Sequence, residues 1–164
     1  MNPDSTSDKT SGIILNNESE LLEWINKTKS SQKKLVVASG CYDVIHFGHV
    51  SNLEAASEMG GSLLIGINSD ESVKKLKGPN RPINKQEHRA KVLASLRCVS
   101  AVYVYEITKD FLKLAKPDIW VKGSDYTLDS LNQEELKAVT ENGGEVRFAR
   151  LVEGISTTHI LSKI

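Results

Sequence analysis

"KLVVASGCYDVIHFGHVSNLEAASEMGGSLLIGIN" (residues 34–68) sets two apolar runs on either side of a segment with helical patterning. The runs "KLVVAS" (34–39) and "SLLIGIN" (62–68) are continuous rather than alternating, as in strands of a sheet covered on both faces. The helix pattern over 49–59 stops at "MGG", where glycine accepts a positive φ. Strand, helix and strand in this order make a βαβ unit with parallel strands. Gly40 lets the chain turn out of the first strand, and two of the four histidines, His46 and His49, flank Gly48 where the helix begins. A helix N-terminus is an anion site, because its unpaired N–H groups and the positive end of its dipole face the ligand. Gly48 admits close approach of a phosphate to the backbone, and each imidazole can donate a ring N–H to phosphoryl oxygens. Either histidine alone reads as a partner for a core carbonyl. The pair, with its glycine at a strand-to-helix junction, reads as a site for phosphoryl chemistry.

Outward from this unit the same alternation continues. "AVYVY" (101–105), "DIWVKG" (118–123) and "EVRFARL" (145–151) read as strands; residues 86–96, 108–115 and 132–141 read as helices, with a last one from Ser156. "NGG" (142–144) supplies another helix stop. The pattern predicts an α/β fold, a single Rossmann-like doubly wound parallel sheet whose ligands sit beyond the carboxyl ends of its strands. Residues 1–17, rich in Ser, Thr, Asn and Asp, are expected to form a flexible tail, and residues 18–164 the domain. "ESELLEWINKTK" (18–29) predicts a short amphipathic helix in which Trp24 packs on the domain.

Composition narrows the function classes. A chain of 164 residues, 39% hydrophobic and 26% charged, supports one well-buried core. Lys plus Arg (21) balances Asp plus Glu (21), so no basic surface for nucleic acid or an anionic membrane is expected and phosphate binding must be local. Cys41 and Cys98 match neither a disulfide framework nor a zinc spacing, which points to a reducing compartment. No apolar run has the length of a membrane span, and "MNPDSTSDKTSG" lacks the apolar segment of a signal peptide. A cytoplasmic protein is expected.

Local positive charge is found in "KKLKGPNRPINKQEHRAK" (74–91), with seven Lys or Arg against the single acid Glu87. Lys74, Lys75, Lys85 and Lys91 read as a solvated face. Lys77 and Arg81 lie on a Gly/Pro loop able to close over phosphates, and Arg89 lies on the following helix. "VKGSDY" (121–126) ends the fourth strand, so Lys122 and Asp125 should emerge at the ligand edge of the sheet. No covalent nucleophile with a paired base stands out, and in-line transfer needs none. No metal cluster is expected in the chain; Mg²⁺ would arrive on a triphosphate, keeping most of its waters.

"HFGH" after the first strand resembles the His-x-Gly-His signature of the cytidylyltransferase-like nucleotidyltransferases. "EGISTTHI" (153–160) is similar to that family's Glu-Gly-Ile-Ser-Thr-Thr element. The resemblance implies that Gly154, Ile155, Ser156, Thr157 and Thr158 grip nucleotide phosphates at a late helix N-terminus, where the hydroxyls can also cap the helix. It further implies that Cys41 and Tyr42 border the nucleotide, with Cys41 contributing backbone, and that Lys122 and Asp125 lie by base and ribose. Lys77, Arg81 and Arg89 match positions directed at substrate and triphosphate. Within the family, "GHVSNLEAASEMG", "INSDESVKKLKGPNRPIN", "PDIWVKGSDY" and "ENGGEV" resemble heptose-1-phosphate adenylyltransferase domains over about residues 35–164. This implies transfer of AMP from ATP, with Mg²⁺, onto a phosphorylated sugar or polyol, most closely D-glycero-β-D-manno-heptose 1-phosphate. It implies His46, His49, Lys77 and Arg89 as catalytic residues, a homodimer, and a separate sugar kinase upstream. Glycerol-3-phosphate cytidylyltransferases, which use CTP, are the next resemblance through "EHRAKVLASLR" and "EGISTT", but "VKGSDY" lacks their Met-Gly-Asp-Asp-Trp character. A nucleotide-binding regulator without turnover is the alternative of a different class, separated from both enzymes by pyrophosphate release.

Overall fold

The computed structural model describes residues 11–149 and 160–163. In chain order the elements are β1 (Ile13–Leu15), α1 (Glu18–Ser30), β2 (Lys34–Gly40), α2 (Phe47–Ser57), β3 (Gly61–Asn68) and α3 (Asp70–Lys77). There follow α4 (Gln86–Ala94), β4 (Ala101–Tyr105), α5 (Thr108–Ala115), β5 (Ile119–Lys122), α6 (Gln133–Thr140) and β6 (Glu145–Phe148). The six strands form one sheet in the order β1-β4-β3-β2-β5-β6, and every pairing is parallel. β2 pairs with β3 from Lys34↔Gly61 to Gly40↔Ile67, and on its other edge with β5 from Val36↔Ile119 to Ala38↔Val121. Strand order therefore reverses between β2 and β5, which is the crevice where open α/β sheets bind ligands.

Alternate residues of each strand feed opposite faces. Leu35, Val37, Leu64 and Trp120 join Leu21 of α1, Phe111 of α5 and Val139 of α6 in one core. Val36, Ala38, Ile65 and Val121 join Leu53 of α2 and Leu93 of α4 in the other. Burial on both sides explains why the central strands read as unbroken apolar runs. Trp24 packs against the first core, as its helical spacing predicts. The glycine stops hold as well, since Gly60 has φ +100° and Gly143 φ +78°.

Two elements depart from the sequence reading. Ile13–Leu15, expected in the flexible tail, form the edge strand β1, with Ile13 opposite Ala101 and Leu15 buried. Three residues are too few to show an alternation, so only the pairing with β4 reveals them. Lys77, expected on the Gly/Pro loop with Arg81, is the last residue of the helix α3. Ser69 Oγ caps it by accepting from the Ser72 N–H at 3.1 Å, while Asp70 and Glu71 in its first turn and Lys74, Lys75 and Lys77 in its last complement the helix dipole. Only Val73 among its apolar side chains is buried, so no hydrophobic period announces it. The helix expected from Ser156 begins outside the described residues.

Candidate active site

A cleft of about 810 Å³ opens at the carboxyl edge of the sheet, within the size range of small-molecule sites. It is bordered by the residues after β2, the start of α2, the end of α3 and the residues after β5. Cys41, Tyr42, His46, Gly48, His49, Lys77, Arg81, Lys122 and Asp125 all line it. Gly154 to Thr158 lie outside the described residues.

His46 is the N-cap of α2 and His49 sits one turn in, so both rings project from the helix mouth. They stack with centroids 3.9 Å apart and planes at 29°. His49 Nδ1 accepts the His46 backbone N–H at 3.4 Å, which leaves the proton of the neutral ring on Nε2. Burial, reinforced by His46, lowers the His49 pKa to about 4, and burial also lowers that of His46. Both shifts favour the uncharged rings, which can offer N–H donors. Tyr42, with φ +48°, tilts its ring against His49 at 5.3 Å. The left-handed turn at this residue redirects the chain from β2 toward α2.

Asp43 organises the cationic side. Its carboxylate accepts from the Ile83 N–H (2.9 Å), the Asn84 N–H (2.8 Å) and Arg81 Nε (2.6 Å). Burial would raise its pKa, but the Asn84 and Ile83 N–H groups and the Arg81 guanidinium outweigh that and hold it below the ordinary carboxylate value. The side chain of Asp43 is 1% exposed and that of Arg81 21%, so the loop after α3 is pinned from beneath while Arg81 reaches the cleft. The sequence reading omits Asp43; its one signal is a lone acid between a strand end and the paired histidines.

Arg89 corrects the reading that sends it to the phosphates. It is buried at 1% exposure, with Nε donating to Asn84 O at 2.9 Å and Nη1 to Cys41 O at 2.6 Å and Asn68 O at 2.8 Å. Nη2 donates to Asp70 Oδ1 at 2.8 Å. The guanidinium thus joins the ends of β2 and β3 to α3 and α4. Four of its N–H donors are spent on three carbonyls and the Asp70 carboxylate, so it positions the site rather than facing it. The Cys41 carbonyl is consequently occupied, and burial raises the pKa of its thiol.

Lys122 ends β5 with its ammonium 4.3 Å from the Tyr126 ring centroid and 5.1 Å from that of Trp120. Burial lowers its pKa. Beneath it runs a polar floor: Trp120 Nε1 donates to Ser39 Oγ (3.0 Å), Tyr105 OH to Asn68 Oδ1 (3.2 Å) and Asn68 Nδ2 to Ser72 Oγ (2.9 Å). Gly66 makes room for this floor, since a Cβ there would lie 2.3 Å from Phe111, whose ring stacks on Tyr105. Asn68 and Tyr105 are absent from the sequence reading, although each ends a strand at the ligand edge. Among the described residues no three His, Cys, Asp or Glu side chains group so as to hold a metal ion.

A mouth of neutral imidazole donors at a helix N-terminus, faced by Lys77, Arg81 and Lys122, can bind a polyphosphate and hold charge as it shifts among phosphoryl oxygens. A family model described as cytidylyltransferase-like matches residues 37–163, which include every one of these groups. The chain belongs to the cytidylyltransferase-like family. Membership makes it a nucleotidyltransferase-type domain. Bifunctional protein HldE of Campylobacter fetus subsp. fetus is 41% identical over 145 residues, covering 87% of this chain and 30% of that protein. Bifunctional protein HldE of Alcanivorax borkumensis is 39% identical over 156 residues, covering 94% of this chain and 32% of that protein. The chain spans about a third of the length of these relatives. The fold is shared with pantoate-beta-alanine ligase of Francisella tularensis, at TM-score 0.67 and 16% identity over 93% of this chain and 73% of that one. It is also shared with a lipopolysaccharide core biosynthesis protein of Thermoplasma volcanium, at TM-score 0.59 and 22% identity over 73% of this chain and 97% of that one. No described helix is long and apolar enough to cross a membrane.

Proposed function

We propose that this domain transfers AMP from ATP to a sugar 1-phosphate, of the heptose 1-phosphate class, giving an ADP-sugar and pyrophosphate. The observation that carries the reading is the stacked, neutral His46–His49 pair at the mouth of α2, across the switch-point crevice from Lys122. An oxygen of the sugar phosphate attacks the α-phosphorus as the bond to the bridging oxygen breaks, and pyrophosphate leaves with the electron pair. Charge moves onto the bridging oxygen and the transferred group, where imidazole N–H donors gain most. His49 offers Nε2–H because its Nδ1 is held by the His46 amide. Lys77 and Arg81 neutralise the assembled phosphates, with Arg81 aimed by Asp43. Mg²⁺ enters as part of the substrate, on the triphosphate, and Ser156 to Thr158 are assigned to the same phosphates by their motif. The sugar class rests on the resemblance of the chain's motifs to heptose-1-phosphate adenylyltransferase domains. The acceptor's phosphate is made beforehand by a sugar kinase.

Pyrophosphate release from ATP and from CTP, each with a panel of sugar 1-phosphates and glycerol 3-phosphate, tests the reading. Release with ATP and a heptose or hexose 1-phosphate is expected. Release confined to CTP and glycerol 3-phosphate would replace it with cytidylyl transfer, and no release with any pair would make the domain a nucleotide binder.

A further inference from the structure

The cleft has two halves because the sheet has two faces. His46, His49 and Asn52 enter it from α2, on the face covered by α2 and α4; Thr108, Asn132 and Glu135 enter it from α5 and the start of α6, on the opposite face. The α2 half is rich in donors. The far half holds a carboxylate. Burial pushes the Glu135 carboxyl up, with the Lys122 ammonium and the Thr108 hydroxyl pulling it back. Among the described residues Glu135 takes part in no ion pair. Neighbouring Asn132 has its Oδ1 committed to the Glu134 and Glu135 N–H groups at 2.9 and 3.3 Å, so only its Nδ2 faces a ligand.

With the Thr108 hydroxyl as a donor and Lys122 nearby but no cation in contact among the described residues, the half-buried carboxylate keeps acceptor sites open, and a ligand that supplies donors to them gains charge-assisted hydrogen bonds. A phosphate cannot, since it brings only acceptors and negative charge. Neighbouring hydroxyls of a sugar can, one to each carboxylate oxygen. In-line transfer independently requires the acceptor to approach from the side opposite the departing pyrophosphate. With the triphosphate on the α2 half, the α5–α6 half is that side. We propose that the α5–α6 half of the cleft is the subsite for the acceptor's polyhydroxyl body, and that Glu135 determines specificity by accepting hydrogen bonds from two sugar hydroxyls. The direction of approach rests on the adenylyl-transfer reading; the chemistry of the subsite rests on Glu135 and its surroundings.

The test is calorimetric binding of D-glycero-β-D-manno-heptose 1-phosphate, mannose 1-phosphate and methyl phosphate to wild type, Glu135→Gln and Glu135→Ala. All are measured with a saturating non-hydrolysable ATP analogue, and melting temperature verifies folding. Wild type should bind at least one of the sugar phosphates about 10- to 100-fold more tightly than methyl phosphate, the worth of hydrogen bonds to a charged group. Glu135→Ala should erase that preference, and the isosteric Glu135→Gln, which keeps one acceptor oxygen, should reduce it. Affinity for the ATP analogue should stay within twofold throughout. A preference that survives in Glu135→Ala, is absent from wild type, or disappears only together with ATP affinity overturns the proposal. A preference that depends on Glu135, in a protein that releases no pyrophosphate, supports the subsite and sinks the adenylyl-transfer reading alone.

Discussion

Asp43→Asn removes one charge and one acceptor from the junction that aims Arg81. The carboxylate receives two backbone N–H groups and the Arg81 Nε, all within 2.9 Å, on a side chain that is 1% exposed. An asparagine can still accept from Asn84 or Ile83 through its oxygen, but its amide turns a donor toward the guanidinium. Removing one partner of a buried ion pair costs about 3–5 kcal/mol. Arg81 is 21% exposed and can turn toward water, which lowers the expectation to about 2–4 kcal/mol. In a domain of this size each kcal/mol shifts the melting temperature by about 2–4 °C, so a fall of roughly 4–16 °C is expected. The same bonds lower the Asp43 pKa, so its contribution is present above the ordinary value of 3.8 and lost as pH falls below it. The variant should therefore be less destabilised by acid, relative to its own neutral stability, than wild type. With Arg81 no longer held, kcat/KM for ATP should drop about 10- to 100-fold, the effect expected when a phosphate-binding group is misplaced. Thermal melting at pH 7, urea unfolding at pH 7 and at about pH 2.5, and pyrophosphate release on folded protein read the three. A variant that melts within about 2 °C of wild type and keeps its turnover within twofold would refute Asp43 as the anchor of the loop.

His46→Ala and His49→Ala should each cut turnover about 100- to 1,000-fold, the loss of one oxyanion-type donor, while ATP affinity by calorimetry changes little. Turnover within a few-fold of wild type would remove the histidines from the mechanism. Proton NMR of the ligand-free protein should find His49 titrating near 4, well below the ordinary 6.5. A depressed folded pKa means its stabilisation is full above 6.5 and lost as pH falls through 4; the full shift corresponds to about 3 kcal/mol, reduced to roughly 1–2 by solvent in the open cleft. Arg89→Lys should lose about 2–4 kcal/mol in denaturant unfolding, because three donors on one nitrogen cannot span the Asn84, Cys41 and Asn68 carbonyls and the Asp70 carboxylate that the separated guanidinium nitrogens reach. The KM for ATP of its folded fraction should stay within a few-fold of wild type, whereas a large KM rise at unchanged stability would restore Arg89 to the phosphates.

Much of the fold is local information. "KLVVAS", "SLLIGIN" and "AVYVY" are strands because β-branched runs of that length have no stable alternative once both faces are covered, and the glycines of "MGG" and "NGG" stop their helices wherever those helices pack. The place of His46 and His49 was equally legible, since a glycine-bearing turn from a parallel strand into a helix always puts that helix mouth at the ligand edge. What the tertiary structure decided is which polar groups meet. Arg81 and Arg89 stand eight residues apart in one basic segment, yet one faces the cleft and the other is sealed beneath it. The difference comes from Asp43, Cys41 and Asn68, whose distance from them along the chain hides the partnership. The edge strand β1 exists only through β4, and the carboxylate of Glu135 faces Lys122 only because α6 packs beside α5 at the end of β5. Period and turn chemistry are carried by neighbours in sequence; the pairing of buried donors with acceptors depends on residues brought together by the sheet.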